Sequence, residues 1–468
     1  MGVAASLFYS TTEAGSEKCL DWRIRPSDEQ FDAQKERWND LADVLKVSLE
    51  ESSGYKISSW LQGSYKFGTQ IRPAASGHEF DIDLGVYYRW SGAPEEGDWS
   101  PLALKEFVQD ALIDYAGDSS NDAEGVSDPK PRCSRIHFND DFHIDVPCYH
   151  LDAGRDARAL AVSDDSWEDS DPKAIYGWWK DMLGDDVRPR ARRIVRYLKM
   201  WAALHFGKDE APPSSILLTV LVAESWNGLN AGDISGDDDL LLVVLRAITG
   251  RLDRSTRVEN PVNLAENLNR LNPEETDLLR DRLAIFMDVA ERATSTQSKA
   301  AAAEIWSEIF LHFFEIPAEA DEEILLEKKF HAPTVAFVPN VVVTAVNSDR
   351  SRRWQGENQI GPIPRNCAIE FALSNALELP AGAVVSWTVR NMGRAAEREN
   401  DMGHVSGTGL STTENSAYPG THFVDVAVKV NGQLVGRRRV PVTISSLGEV
   451  RRNPRSRPNY VQHRSRRR

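Results

Sequence analysis

Two aspartates stand two residues apart in a stretch of alternating apolar and acidic side chains. Asp81 and Asp83 alternate with Phe80, Ile82 and Leu84, and this period of two predicts a β-strand whose two carboxylates project from one face. Neighbouring carboxylates on one face repel each other unless a cation lies between them, and hard divalent ions prefer oxygen ligands of this kind. The stretch therefore predicts a metal-binding strand.

A third aspartate repeats the arrangement further along the chain. Asp145 shares one side of a second predicted strand with His143, while Phe142, Ile144 and Val146 take the other side. If the two strands are neighbours, three carboxylates converge around divalent ions. Acids that alternate on a strand also occur on ordinary solvated faces, so the pattern leaves that alternative open.

Gly63 and Ser64 precede the acidic strand closely enough to lie beside the metal site. Glycine permits close approach of the backbone, and a nest of amides with a serine hydroxyl can hold terminal phosphates. A Gly-Ser turn alone is common, but its order and spacing before Asp-x-Asp and a later aspartate favour phosphoryl or nucleotidyl transfer. In that chemistry one ion lowers the pKa of the attacking hydroxyl and the other stabilises the leaving pyrophosphate.

These motifs resemble a known family. The pattern Gln62-Gly63-Ser64, Gly68-Thr69, Phe80-Asp81-Ile82-Asp83 and His143-Ile144-Asp145-Val146-Pro147 is similar to polymerase-β-type nucleotidyltransferases, in particular to the bacterial cGAS/DncV-like nucleotidyltransferases (CD-NTases) of anti-phage signalling. The resemblance continues through Arg193 to Trp201 and Pro213-Ser214-Ser215, and spans roughly residues 30–310.

The resemblance implies roles for individual residues. Two Mg²⁺ (or Mn²⁺) ions are expected on Asp81, Asp83 and Asp145, with Asp145 nearest the attacking hydroxyl. A second set is expected to bind the donor triphosphate, and it comprises Gln62, Gly63, Ser64, Lys199 and either Ser214 or Ser215. Lys199 shares a helical stripe with Arg192 and Arg196, and without the resemblance such a stripe is more often a solvated face.

The surrounding pattern predicts an α+β architecture in four parts. Periodicity predicts a mixed sheet and a long helix over 27–55 within residues 1–171, and a helical lobe over residues 172–329. The resemblance implies that the first part is the catalytic lobe and that the second completes a nucleotide cleft. Residues 330–447 are strand-like and predict a small all-β sandwich, and residues 448–468 form a basic, disordered tail. Residues 117–129 are expected to be a loop.

The predicted sandwich resembles the C-terminal sensor domain that follows some adenylyl/guanylyl cyclases and CD-NTases. The resemblance lies in Ala368 to Phe371, Val385 to Asn391 and Tyr418 to His422. It implies an infection-derived or nucleotide ligand at this domain, and the polar stretch Gly403 to Ser416 is the expected capture loop. Packing against the helical lobe is the alternative role.

Composition excludes several classes. The 468 residues are 41% hydrophobic, with four cysteines, no CxxC pair and no apolar run long enough to span a bilayer, which favours a cytoplasmic enzyme and excludes a disulfide-stapled or membrane protein. The net charge is −16, although residues 451–468 hold eight arginines and no acid. An acidic body does not favour duplex nucleic acid, but the tail can contact RNA or simply solubilise the chain end.

Three functions fit this sequence. The preferred hypothesis is an enzyme that joins nucleoside triphosphates (ATP and/or GTP) into a cyclic or linear signalling oligonucleotide, with a downstream effector that binds the product rather than the protein. The second is transfer of a nucleotide to a macromolecule or small molecule. The third is a catalytically silent module that senses a ligand or RNA. The presence of all three aspartates favours the first two.

Overall fold

The protein divides into two compact units. The computed structural model describes residues 2–12, 19–74, 79–139, 142–229, 231–317, 337–431 and 433–446. The first unit takes the described residues within Met1–Lys329 together with Glu397–His404, and the second takes those within Phe330–Ala396 and Val405–Arg468. The predicted boundary at residues 329 and 330 and the predicted basic tail lie outside the described residues.

The long helix that the sequence predicts lies near the start of the first unit. Two short helices, α1 (Ala5–Phe8) and α2 (Leu20–Ile24), precede α3 (Asp28–Ser53). Ser27 caps α3 by accepting a hydrogen bond from the Gln30 amide, and the Gln30 side chain accepts one from the Ser27 amide in return, which satisfies two amides that a helix start leaves open. Gly54 ends the helix in the left-handed conformation.

An eight-stranded mixed sheet supports the site. Its strands follow the order β3-β4-β5-β2-β6-β7-β8, with β1 paired to β2. The sheet elements are β1 (Lys56–Gln62), α4 (Gly63–Phe67), β2 (Phe80–Arg89), α5 (Pro101–Gly117), β3 (Ala123–Val126), β4 (Ser134–Phe138), β5 (Phe142–Val146), β6 (Cys148–Asp152), β7 (Ala157–Ala161) and β8 (Trp167–Asp169). Helices α3 and α5 pack their apolar faces on one side of this sheet.

Two local expectations were wrong. Residues 117–129 are not only loop, because β3 lies within them and pairs with β4. The predicted strand that carries Asp145 ends at Val146, and a separate strand begins at Cys148, because the intervening Pro147 has no amide to donate to the ladder. Each of these strands pairs in parallel with a different part of β2.

The rest of the first unit is mainly helical. Its elements are α6 (Pro172–Met182), α7 (Arg188–His205), α8 (Ser215–Ser225), α9 (Asp237–Arg254), β9 (Glu259–Asn260), β10 (Asn263–Asn267), α10 (Pro273–Ser295) and α11 (Lys299–Phe310). Their buried side chains form one apolar cluster in which Trp179, Trp201 and Trp306 are almost fully enclosed. In the part of the chain that the structure describes, no helix is both long and apolar enough to cross a bilayer.

The second unit is a sandwich of two sheets, as predicted. One sheet has the order β12-β11-β14-β17 and the other β13-β19-β18-β15-β16, and Phe371, Trp387 and Val426 are buried between them. The elements after residue 337 are β11 (Val341–Val346), β12 (Arg353–Glu357), β13 (Ile360–Ile363), β14 (Ala368–Leu373), β15 (Ala383–Arg390), α12 (Arg394–Arg398), β16 (Gly403–Thr408), β17 (Ser411–Asn415), β18 (Gly420–Val430) and β19 (Gln433–Ile444). The end of α12 and the start of β16 belong to the first unit.

The prediction of a capture loop at Gly403 to Ser416 was wrong. Strands β16 and β17 occupy most of this stretch. Its glycines and threonines suggested a loop, but Thr412 and Ser411 pair with Phe371 and Ala372 of the four-stranded sheet. Backbone pairing with a preformed strand outweighs the low strand propensity of the segment.

A buried charge cluster holds the five-stranded sheet together. Asp425 accepts from Arg390 Nε at 2.6 Å and from Arg439 Nε at 2.9 Å, and Arg437 Nη2 lies 3.3 Å from its carboxylate. Burial alone would raise the pKa of Asp425, but the charges of Arg437, Arg439 and Arg390 lower it far below its usual range.

We therefore expect Asp425→Asn to destabilise the protein by about 3–5 kcal/mol at neutral pH, because three buried guanidinium groups lose their common anion. The wild-type carboxylate is ionised throughout the neutral range, and its advantage should fade only below about pH 4, where the unfolded chain takes up the proton. Urea unfolding of the full chain measures this. Glu370→Gln, at an exposed position of β14, is the matched control, and equal stability of the two variants would contradict the assignment.

Candidate active site

The three predicted aspartates lie on adjacent parallel strands. Strand β2 pairs with β5 so that Asp83 lies opposite Asp145 and Asp81 lies opposite His143. The alternating residues Ile82 and Ile144 are fully buried beneath them. Oxygen atoms of Asp81 and Asp145 and a ring nitrogen of His143 lie within 4.8 Å of one another. The strand register places Asp83 next to this cluster, opposite Asp145.

The electrostatics of Asp83 call for a cation. Burial, and then the negative charges of Asp81 and Asp145, raise the pKa of Asp83 to about 7. A carboxyl group that must ionise beside two like charges gains most from a bound divalent ion, which supplies the missing positive charge and accepts oxygen ligands. The three aspartates therefore fit Mg²⁺ or Mn²⁺.

Asp145 also has basic partners. Arg135 on the neighbouring strand β4 places Nε 2.5 Å from one carboxylate oxygen and Nη2 2.8 Å from the other, and Lys130 Nζ lies 3.4 Å away. Burial alone would raise the pKa of Asp145, but Arg135 and Lys130 lower it. A carboxylate has about four lone-pair positions, so Asp145 can keep Arg135 on one side and offer the other to a metal ion.

A chain of hydrogen bonds orients Asp81. Its Oδ1 lies 2.9 Å from His143 Nε2, and His143 Nδ1 lies 2.7 Å from Glu79. Glu79 in turn contacts His137 Nδ1 at 2.9 Å. Burial alone would lower the pKa of His143, but hydrogen bonding and charge from Asp81 outweigh it and raise that pKa. Such a histidine fixes the orientation of a metal-binding carboxylate, as an outer partner does in many metal sites.

Gly63 is required by a close approach to Asp83. Its φ is +56°, and an added Cβ would lie 1.8 Å from Asp83 Oδ2. Any other residue would push the carboxylate out of place and would also strain the backbone. Gly63 is the first residue of the single-turn helix α4, which carries Ser64 next to the Lys199 cavity.

The predicted triphosphate residues separate into two groups. Lys199 Nζ donates to the Thr69 carbonyl at 3.0 Å, and burial lowers the pKa of Lys199 to about 8 against the opposing pull of Asp81 and Asp83. Ser64, Lys199 and Ser215 all line one cavity. Ser214 instead caps α8 by accepting from the Leu217 amide, and Ser215 is the member of that pair that lines the cavity.

Gln62 plays a structural part. Its Nε2 donates to the Tyr87 hydroxyl at 2.8 Å, and its Oε1 accepts from the Tyr149 hydroxyl at 3.1 Å. Both ends of the amide are thereby engaged within the sheet, at the base of a cavity. These contacts do not favour a direct role in nucleotide binding, and the predicted role stays a prediction.

Two cavities flank the aspartates. The one lined by Lys199 has a volume of about 540 Å³, and the other, lined by Asp145, has a volume of about 630 Å³. Gly63, Phe67 and Asp83 border both. Each volume lies within the range of small-ligand sites, so the site has room for a ligand on either side of the acidic residues.

Several residues at the site were not assigned from the sequence. Arg135, Lys130 and Glu79 act through Asp145 and Asp81, and nothing in their local pattern distinguishes them from surface charges. His143 had a usable signal, because it shares a strand face with Asp145. Thr69 acts through a backbone carbonyl, which the side-chain pattern does not show.

The comparisons with known families decide the class. Residues 58–149 match the family described as "Cyclic GMP-AMP synthase DncV-like, nucleotidyltransferase domain". The chain carries a DncV-like nucleotidyltransferase domain. Residues 321–445 match the "Adenylyl/Guanylyl and SMODS C-terminal sensor domain". Both resemblances that the sequence suggested are therefore confirmed.

Similar proteins extend over most of this nucleotidyltransferase. A cyclic GMP-AMP synthase of Escherichia albertii is 27% identical over 458 residues, which cover 96% of this chain and 98% of that protein. A c-di-GMP synthase of Roseivirga ehrenbergii is 24% identical and covers 54% of this chain and 73% of its own length.

The solved structures establish the fold. The di-nucleotide cyclase DncV of Vibrio cholerae, in complex with GTP and 5MTHFGLU2, superposes with a TM-score of 0.58 at 20% identity, covering 68% of this chain and 98% of that one. The same enzyme in complex with the linear intermediate 5′ pppA(3′,5′)pG gives a TM-score of 0.56 at 19% identity, over 68% of this chain and 97% of the other. The predicted polymerase-β-like fold is confirmed.

The raised pKa of Asp83 makes a prediction about stability. Between the usual value near 4 and about 7 the folded state holds a proton that the unfolded chain has released, so stability falls as pH rises through this window. Without divalent ions at pH 8, Asp83→Asn should therefore be more stable than the wild type, by on the order of 1–4 kcal/mol. The difference should vanish near pH 4.

Thermal unfolding across pH, with and without Mg²⁺, measures this effect. Mg²⁺ should stabilise the wild type more than the variant and so narrow the gap at pH 8. Asp110→Asn, at an exposed position of α5, should show no such dependence on pH or Mg²⁺. A variant that unfolds at a lower temperature than the wild type at pH 8 would contradict the raised pKa.

Proposed function

We propose that this nucleotidyltransferase synthesises a cyclic oligonucleotide second messenger from ATP and/or GTP, in the signalling that bacteria direct against phage. The observation that carries the proposal is the placement of Asp81, Asp83 and Asp145 between two nucleotide-sized cavities that share Gly63 and Asp83. Relatives named as cyclic GMP-AMP and c-di-GMP synthases support it.

The cavity with Lys199 is suited to the donor nucleotide. Burial removes water from the Lys199 ammonium group and lowers its pKa to about 8. A bound polyphosphate would stabilise the charged form of this group, because it supplies negative charge in place of the lost hydration. Ser64 and Ser215 offer hydroxyl groups in the same cavity. The acceptor nucleotide would then occupy the cavity with Asp145, which places its sugar hydroxyl next to that carboxylate.

The residues of the chain arrange an in-line attack. Asp81 and Asp145 approach the boundary between the cavities from two strands, while Gly63 leaves space for the Asp83 carboxylate. When bound, the divalent ions would lower the pKa of the attacking hydroxyl and neutralise charge on the leaving pyrophosphate. His143 and Arg135 hold Asp81 and Asp145 in orientation during this step.

Product analysis tests the proposal directly. The protein is incubated with each nucleoside triphosphate and each pair of them, with Mg²⁺ or Mn²⁺, and the products are treated with phosphatase before chromatography and mass spectrometry. Phosphatase-resistant products of low mass from triphosphates alone are expected. Product that forms only when tRNA, protein or a small-molecule acceptor is added would favour the alternative transferase.

Removal of two metal ligands should abolish synthesis. We expect Asp81→Ala with Asp83→Ala to lower the rate of triphosphate consumption by on the order of a thousand-fold or more, because transition-state charge is no longer balanced. The fold should persist, since the change removes mutually repelling charges. Glu106→Ala with Asp110→Ala, two exposed acids of α5, is the control, and unchanged turnover in the site variant would refute the metal assignment.

Lys199→Met should act on substrate binding. We expect the KM for the donor triphosphate to rise by about ten-fold or more, because a buried charge-assisted contact to phosphate is lost, with a smaller change in kcat. Steady-state kinetics with varied triphosphate measures both constants. Lys180→Met removes an exposed lysine from α6 and should leave both unchanged. If Lys199→Met altered only thermal stability, a packing role would replace the phosphate role.

A further inference from the structure

A short segment from the last third of the chain belongs to the catalytic unit. Residues Glu397–His404 fall within the match to the sensor domain family, yet they are part of the first compact unit. The flanking residues, which include β15 and most of β16, belong to the second unit. The sensor region therefore contributes eight residues to the fold that carries the active site.

Arg72 receives this segment. Its guanidinium is fully buried and donates to the Glu397 carbonyl at 2.7 Å and to the Glu397 carboxylate at 3.3 Å, and it lies 3.4 Å from the Asn400 side-chain carbonyl. Gln30 donates to the same Asn400 oxygen at 2.9 Å. Burial lowers the pKa of Arg72 to about 10, and the charge of Glu397 opposes that shift.

The remainder of the segment is anchored in the helical lobe. Met402 is 1% exposed and packs in the large apolar cluster of the first unit. Its carbonyl accepts from Arg23 at 3.4 Å. The segment is thus held by a polar contact at Glu397 and by an apolar contact at Met402, both of them buried.

Arg72 also lies in the wall of the Lys199 cavity. The stretch from Thr69 to Ala74 lines that cavity. Within it, the Thr69 carbonyl accepts from Lys199, and the Gln70 side chain donates to the Asp81 carbonyl at 3.1 Å. A shift of the backbone at Arg72 would therefore move the hydrogen-bond partners of Lys199 and of the Asp81 carbonyl in β2.

We propose that Glu397 is a positioning residue for the donor site. Through its contact with Arg72 it sets the backbone of Thr69 to Pro73, and through that backbone it places Lys199 for the triphosphate. The nucleotide site is then completed by a segment of the sensor region rather than by the catalytic sequence alone. This inference rests on the proposed function of the Lys199 cavity.

The physical reason is the cost of burying an unpaired guanidinium. If the Glu397 carboxylate is removed or withdrawn, Arg72 retains its charge in a dry environment and the surrounding stretch must rearrange to hydrate it.

Nucleotide affinity of the full-length protein tests this inference. The probes are the α,β-methylene analogues of ATP and GTP with Mg²⁺, measured by calorimetry, and the variants are Glu397→Gln and Glu397→Asp. We expect Glu397→Gln to weaken the Kd of the bound analogue by about five-fold or more. Glu397→Asp should restore part of the loss. In turnover assays the KM should rise more than kcat falls.

Glu399→Gln is the matched control, because it removes an exposed carboxylate from the same segment. Asn400→Gly is a milder second variant, since it deletes the oxygen that Gln30 and Arg72 share and glycine tolerates the positive φ of 53° at this position. It should weaken binding to a lesser degree, and it remains informative if Glu397→Gln fails to fold.

Two failures are distinguishable. If Glu397→Gln and Asn400→Gly, both folded by circular dichroism, bind the analogues as tightly as Glu399→Gln does, the positioning role is overturned while the wild-type product assay is unaffected. If the wild type forms no oligonucleotide, the proposed function falls, but the difference in analogue affinity between Glu397→Gln and Glu399→Gln still decides the role of Glu397.

Discussion

The site depends on the mutual repulsion of three carboxylates that the sheet holds together. The parallel register of β2 and β5 places Asp83 opposite Asp145, and Asp81 projects from the same face. Ile82 and Ile144, which alternate with the aspartates, are buried in the core beneath, and this burial offsets the repulsion between the carboxylates. Burial, and then this repulsion, raise the pKa of Asp83. The ionised site is destabilising without a cation and is stabilised when one binds, as is common at functional sites.

The sequence allowed much of the site to be predicted because its signal is local. Period-two alternation around Asp81, Asp83 and Asp145 specifies both a strand and a face, and parallel pairing of two such strands is the simplest way to bring them together. Gly63 was predicted for its close approach to phosphate, and the geometry adds a second requirement, since its missing side chain makes room for Asp83 itself.

Contacts between distant residues could not be predicted in the same way. Arg135 resembles any charged strand residue until β4 is known to pair with β5 and so to place it opposite Asp145. The expected loop over Gly403 to Ser416 failed for the same reason, because its pairing partner in β14 lies about forty residues earlier. Local strand propensity does not predict which strand of a sheet a segment will pair with.

The two compact units of the fold do not coincide with the two matched sequence regions, because Glu397–His404 lie within the sensor domain match but belong to the first unit. A domain that folds alone needs its own core and no buried charge left unpaired. The first unit meets this condition only with Glu397–His404 in place, since Met402 fills part of its apolar cluster and Glu397 pairs with the buried Arg72. A chain cut after the last helix of the first unit would expose an apolar site and a guanidinium beside the Lys199 cavity. The first unit therefore includes a segment whose sequence lies within the match to the sensor domain family.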